Sequence, residues 1–190
     1  MEENILKGPD NRNEPTTSDL VVLRQLEVSD VTHRYIGWMN DPQVTQFLES
    51  RFVQQTYDTV KEFVENALAD SDVELFAILD RATGTHVGNI KLGPVDRNHK
   101  TADVGLIIGE KAFWGKGYGT QAIQIVTKYA FDTLRLRKIS AGAYSNNHGS
   151  IRAFEKAGWQ IEGKRPNAFI SGSERVDHVL LGISRQEAKD

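Results

Sequence analysis

Val104-Gly-Leu-Ile-Ile-Gly109 and Phe113-Trp-Gly-Lys-Gly-Tyr-Gly-Thr120, read together, decide what kind of fold this chain forms. The first run is apolar and rich in β-branched residues, which suits a strand. The second places Gly115, Gly117 and Gly119 just ahead of a segment in which Ile123, Val126, Ala130 and Leu134 share one helical face. Glycines between a strand and a helix let backbone N–H groups converge on an anion. The helix dipole adds roughly half a positive charge at the same point. A phosphate-bearing ligand suits such a turn, although the same glycines also suit a tight strand-to-helix connection that binds nothing.

Two common phosphate loops do not fit. The ATP-binding loop needs four residues between its first glycine and Gly-Lys-Ser/Thr, whereas Gly109 and Gly115 are separated by five, and Gly117 stands where the magnesium-binding hydroxyl belongs. In the dinucleotide fingerprint the third glycine comes one place later than Gly119, and Arg135-Leu136-Arg137 lies where an acidic ribose partner is expected.

Downstream of the loop, Lys138 to Tyr144 reads as a strand, Ser150 to Ala157 as a helix, Trp159 to Gly163 as a strand and Val176 to Ile183 as the last strand. Upstream, Val73 to Leu79 and His86 to Leu92 flank Asp80-Arg-Ala-Thr-Gly84, two antiparallel strands around a tight turn. Thr56 can cap a helix that puts Val60, Phe63, Val64, Ala67 and Leu68 on one face. Before that, Asp19 to Leu26 suits a first strand and Ser29 caps a short helix towards Met39. Asn40-Asp-Pro42 interrupts it, and Val44 to Phe52 forms a short helix or irregular lid. Hairpins followed by two β-α units imply an α/β fold, a mixed and mostly antiparallel sheet of six to seven strands with helices on both faces.

Composition narrows the function. The chain has 190 residues, 39% hydrophobic and 26% charged, enough for one domain with a real core. We expect a polar leader over residues 1–18, carrying Pro9 and Pro15, and a single domain over 19–190. A net charge of -3 gives no broad cationic field for a phosphate backbone, so nucleic acid is not an expected partner. The first residues show no apolar core of a signal peptide or anchor, so no membrane association is expected and a cytoplasmic address fits. Five histidines and no cysteine exclude disulfides, thiolate zinc sites and cysteine nucleophiles. His33, His86, His148 and His178 lack metal-ligand spacing, and no metal is expected. The last strand offers an edge for pairing, so monomer and homodimer both stay open.

Trp114 to Thr120 resembles the pyrophosphate loop of GNAT acetyltransferases, whose pattern is Gln/Arg-x-x-Gly-x-Gly/Ala. Trp114 departs from the usual first residue in a way that looks like the ribosomal-protein N-terminal acetyltransferase branch. A second match runs from Asn147-His-Gly-Ser150 into Phe154-Glu-Lys-Ala-Gly-Trp159, similar to the superfamily's Asn-x-x-Ser, aromatic-x-Lys-x-Gly-aromatic segment. Trp38 to Val44 with Phe47-Leu48-Glu49 resembles the acceptor-side wall of GNAT enzymes that acetylate nucleotide-linked amino sugars.

The resemblance implies acetyl-CoA as co-substrate and a sheet that splays between the strand at Val104 and the strand at Ser140. Pantetheine would lie in that gap on backbone at Leu106, Ile107 and Ile108. The loop of Gly115, Lys116, Gly117, Tyr118, Gly119 and Thr120 would hold the pyrophosphate, and Asn147 the pantetheine arm. Arg152 would reach a coenzyme phosphate or stand as a solvated helix charge. Acetyl transfer also needs an oxyanion donor, for which the Ile107 N–H is a candidate, and an acid for the leaving thiolate. Many relatives use a tyrosine where this chain has Phe154. Ser150 is then the candidate acid, or the N-cap of its helix, with Tyr144 as the alternative acid. Ala141-Gly142-Ala143 carries no carboxylate where some relatives have their base, which leaves Glu49, Asp103 and His99. The expected acceptor is a primary amine of low pKa, either a nucleotide-linked amino sugar or a protein N-terminal α-amine. The slightly acidic charge favours the small molecule. A non-catalytic acetyl-CoA sensor is the rival reading.

Overall fold

The computed structural model describes residues 17–185, so the expected leader, apart from its last two residues, lies outside the described residues. Thr17 bridges to Val22, and the Ser18 hydroxyl meets Gln121 Oε1 at 2.5 Å.

Seven strands form one sheet in the order β1-β2-β3-β4-β5-β7-β6. They are β1 (Val21–Gln25), β2 (Glu74–Asp80), β3 (His86–Leu92), β4 (Thr101–Ile108), β5 (Lys138–Tyr144), β6 (Gln160–Ser171) and β7 (Glu174–Ser184). The helices are α1 (His33–Asn40), α2 (Pro42–Thr45), α3 (Tyr57–Ala69), α4 (Tyr118–Asp132) and α5 (His148–Lys156). Short 3-10 turns lie at Val28–Asp30, Glu49–Phe52 and Lys111–Phe113.

The two-residue period of β2 sorts the layers. Phe76 and Ile78 pack with Val21, Leu23 and Ile90 against Ala122, Ile123 and Val126 of α4. Leu75 and Ala77 face the other way, onto Tyr35 and Trp38 of α1 and Val60, Val64 and Ala67 of α3. Helices therefore cover both faces, as an α/β sheet of this kind requires.

All neighbouring strands are antiparallel except β4 and β5, which run parallel and pair only at Thr101↔Lys138, Ala102↔Ile139 and Asp103↔Ser140. Beyond Asp103 and Ser140 that ladder stops while both strands continue, so the sheet is forked.

Several elements differ from the sequence expectations. Thr32, not Ser29, caps the first helix, because Asp30 is drawn into a two-pronged pair with Arg24 and its neighbours form a 3-10 turn instead. Phe63 stands 49% exposed on α3, off the packed face, and Leu134 lies past the end of α4. β6 runs on through Pro166 to Ser171. A proline usually ends a strand, but β6, rather than the expected last strand β7, is a sheet edge, where a missing N–H breaks no ladder, and the register slips between Arg165 and Phe169.

Candidate active site

The loop after β4 enters α4 through two left-handed residues, Gly115 at φ 71 and Gly117 at φ 93. A Cβ at Gly115 would meet nothing within 4 Å, so the backbone there faces open space. Side chains pin the loop from behind. Trp114 Nε1 donates to the Ile108 carbonyl at 2.7 Å, and the buried Tyr118 hydroxyl donates to Asp80 Oδ1 at 2.7 Å. The Thr83 hydroxyl, followed by Tyr118, holds the Asp80 carboxyl below its usual range, and Asp80 in turn pushes the Tyr118 phenol up. Tyr118 thus points into the protein and leaves only its backbone to the loop. The first amides of α4 have no partner one turn back, and the residues that carry them line a cleft.

That cleft has a volume of about 500 Å³. It is lined by Leu106, Ile107 and Ile108, by Gly115, Gly117, Tyr118, Gly119 and Thr120, and by Asn147, Ser150 and Arg152. Val44, Phe47 and Leu48 close its other side. The two sequence motifs therefore meet at one cavity. Lys116 is the expected coenzyme residue that does not line it.

The ladder phase assigns the free backbone groups. Gly93 N–H bonds the Asp103 carbonyl and Gly109 N–H bonds the Val87 carbonyl, so by the alternation of an antiparallel pair Gly105 and Ile107 also turn their polar groups to β3. Ile107, the expected oxyanion donor, is committed to the sheet. Leu106 and Ile108 face the fork, and Trp114 already occupies the Ile108 carbonyl.

Asn147 and Ser150 divide their roles differently from the expectation. Asn147 Oδ1 accepts the Ser150 N–H at 3.1 Å and caps α5, which starts at His148. Ser150 is thus not the cap, and its residue borders the cleft.

On the opposite side of the fork, Tyr144 and Glu49 come together, the hydroxyl donating to Glu49 Oε1 at 2.5 Å. Tyr144 is 5% exposed, stacked on Phe169 at 4.2 Å and tilted against Phe47 at 5.8 Å. Burial raises its phenol pKa and Glu49 adds to the rise, against Arg51. Arg51 lies 3.8 Å from Glu49 and donates to the carbonyls of Leu48 and Ile170, tying the lid turn to the β6–β7 hairpin. His99 sits before β4 at the closed end of the fork, where Arg137 bonds its carbonyl, away from the cleft. Asp103 lies on the exposed face of β4 at the last paired rung. Trp38 is buried, as a core residue, and its indole N–H reaches Glu110 Oε1 at 3.1 Å. Phe169, Arg51 and Asp80 were not found from the sequence, since each acts through contacts between distant elements. Among the described residues no cluster of three histidine or acidic side chains is placed to hold a metal. None of their helices is long and apolar enough to cross a membrane.

Comparison with known proteins agrees with this geometry. A family model described as "Acetyltransferase (GNAT) domain" matches residues 21–160. The Bacillus subtilis protein named "Probable N-acetyltransferase YjcK" is 36% identical over 126 residues, covering 65% of this chain and 68% of that protein. The Bacillus licheniformis protein named "Uncharacterized N-acetyltransferase p20" is 26% identical over 173 residues, 90% of this chain and 96% of its own. In fold, the chain is similar to Vibrio cholerae spermidine N-acetyltransferase, solved with CoA and spermine, with a TM-score of 0.78 at 21% identity over 88% of this chain and 96% of that one.

Proposed function

The chain belongs to the GNAT acetyltransferase family and uses acetyl-CoA, and from that premise we propose that it acetylates a small-molecule primary amine of low pKa, with nucleotide-linked amino sugars as the acceptor class. The observation that carries the reading is the fork between β4 and β5 beside an unobstructed glycine turn at the start of α4. A diphosphate fits that turn, because the Gly115 face is open and α4 presents its unpaired amides there. In this reading Leu106 offers both backbone groups to the pantetheine arm, Asn147 its side-chain N–H, and Arg152 a cation for a phosphate. Ile108, whose carbonyl is taken, supplies its N–H to the thioester oxygen as negative charge develops.

No covalent enzyme intermediate is needed. A neutral amine forms the C–N bond, the C–S bond breaks, and its electron pair leaves on sulfur. The Ser150 hydroxyl is the group we assign to protonate that sulfur. The Tyr144 hydroxyl already donates its hydrogen bond to Glu49, which favours Ser150 over Tyr144.

Two arguments support the acceptor class. An amine of pKa about 10.4 must be neutralised near pH 7.4 at a cost of about 4 kcal/mol, whereas one near 8 costs less than about 1 kcal/mol. Glu49, the carboxylate that Tyr144 holds at the aromatic wall, is 3.8 Å from Arg51, which makes the mouth a poor receiver of a polycation. Thiol release from acetyl-CoA should be fastest with nucleotide-linked amino sugars, slower with peptides bearing free α-amines and slowest with spermidine. Coenzyme binding without turnover on any amine would instead establish a sensor, and a preference for spermidine would reverse the acceptor assignment.

A further inference from the structure

Resting on the acetyl-transfer reading above, we propose that His178 on β7 receives the proton of the incoming ammonium group. The case starts at Gly142. Ile139, Ala141 and Ala143 of β5 bury into the α4-side core, so Ser140, Gly142 and Tyr144 face the acceptor side of the sheet. Gly142 lies two positions past Ser140, the last rung shared with β4, and therefore on the open part of the fork. The His178 imidazole lies across it. A Cβ built on Gly142 would stand 2.1 Å from Nε2, so glycine is the residue that lets the ring occupy this place. Across the fork Gly105 shares the acceptor-side face of β4 with Asp103, and a Cβ there would meet nothing within 4 Å. The acceptor-side face thus carries open space at Gly105 on β4 and the imidazole over Gly142 on β5, both outside the residues that line the 500 Å³ cleft.

The ring is held by packing. Phe169 lies 4.7 Å away, itself stacked on Tyr144, while the His178 ring nitrogens make no hydrogen bond among the described residues. Nε2 lies against Gly142, and among the described residues no side chain competes for the ring nitrogens. Burial lowers the His178 pKa and Arg165, its cross-strand neighbour on β6, lowers it further, so the ring is neutral near pH 7. The other charged or titratable groups on this side include Tyr144 of β5, the Lys138–Glu162 pair of β5 and β6, the Glu49–Arg51 pair on the lid turn, Asp103 of β4 and Lys91 of β3 opposite Gly105. Asp177 is engaged elsewhere, accepting the Asn167 N–H. Glu49 is a weaker candidate for the same task, since one oxygen serves Tyr144 and Arg51 stands beside it.

The proton count closes. The ammonium gives one proton to His178, the freed lone pair forms the C–N bond, and the C–S electron pair leaves on sulfur. The second amine proton passes to sulfur through Ser150, and His178 returns its proton to solvent. The products are the amide, free thiol and one proton.

The test is the pH profile of kcat/KM for acetyl transfer by the full chain and by His178→Gln. The wild type should lose activity as pH falls through the lowered His178 pKa, giving an acidic limb with its midpoint below 6.5, the ordinary histidine value. His178→Gln should lower kcat/KM by about 100-fold, abolish that limb and leave coenzyme A affinity by calorimetry unchanged. Should this variant fail to fold, Gly142→Ala, which pushes the ring aside, carries the same expectation. An NMR titration of the imidazole in the wild type should give the same midpoint without any turnover. A variant that keeps its rate and its acidic limb overturns the proposal and sends the proton to another group, Asp103 first. Wild-type protein that releases no thiol with any amine would sink the acetyl-transfer reading itself, and this assignment with it.

Discussion

Replacing Gly117 by alanine separates the backbone geometry of the proposed phosphate loop from its packing. A Cβ there would have one neighbour within 4 Å, Leu20 Cδ1 at 3.6 Å, which is ordinary contact. The cost is therefore conformational. Gly117 caps α4 at φ 93 and ψ -3, and an L-residue held in the left-handed region costs about 1–2 kcal/mol. If the loop keeps its shape, the whole amount falls on stability, and a chain of this size should melt roughly 2–8 °C lower. If the loop relaxes to negative φ, the free protein loses less, but the amides turn away and coenzyme binding must restore them, which weakens affinity by about 5–30-fold. In both cases the coenzyme-saturated protein carries the full cost relative to the unfolded chain. Thermal unfolding with and without saturating coenzyme A, alongside calorimetry, reads both quantities. Gly119→Ala is the matched comparison. It lies within α4, its Cβ would rest 3.5 Å from Leu106 Cδ1, and helix propensity favours alanine by up to about 1 kcal/mol. It should melt no lower than wild type and still bind. A Gly117→Ala protein with wild-type melting and affinity, or a Gly119→Ala protein as damaged as Gly117→Ala, would refute the assigned loop geometry.

Trp114→Phe keeps a ring but loses the indole bond to Ile108, so coenzyme affinity should fall by about fivefold, as expected for a bond of about 1 kcal/mol; calorimetry measures it. Ser150→Ala should lower kcat with little change in melting temperature or coenzyme affinity, because the cap belongs to Asn147. Asn147→Ala should cost about 1 kcal/mol, a fall of roughly 2–4 °C in scanning calorimetry. Tyr144→Phe keeps the stack on Phe169 and removes the bond to Glu49, so thiol release should fall by less than about tenfold; a collapse of turnover would move the acid role from Ser150 to Tyr144.

Much of the framework was legible in the sequence because it rests on local chemistry. The bounds of β3 and β5, the Thr56 capping box of α3 and the entry of α4 follow from short-range pattern and capping. Two ordered motifs also sufficed to bring Leu106–Ile108, the glycines and Asn147 to one cleft. What could not be read depends on position in the sheet. Pro166 reads as a strand end unless β6 is known to be an edge, and the direction of the Ile107 amide depends on its pairing phase with β3. His178 looks like any surface histidine until Gly142 is seen beneath it, and these residues lie on neighbouring strands with α5 and β6 between them in the chain.

The parts of the site are also braced to one another in a way that no single segment encodes. Trp114 ties the glycine loop to the end of β4, Tyr118 ties the start of α4 to the end of β2, and Trp38 ties α1 to Glu110 just past β4. Arg51 does the same between the lid turn and the hairpin at Ile170. Each brace is a side-chain donor on a fixed acceptor, buried at Asp80, half-buried at Ile108 and Glu110 and exposed at Ile170, and where the acceptor is buried such a bond is worth about 1 kcal/mol or more. Together they fix the glycine loop, α4 and α1 on the β2–β4 side of the fork, and the lid turn on the β6–β7 hairpin beside its other wall. A fork held open in advance does not have to be prised apart when the thioester binds. On the proposed reading, preorganisation of this kind would let a donor such as the Ile108 N–H act on developing charge without a reorganisation cost during the reaction.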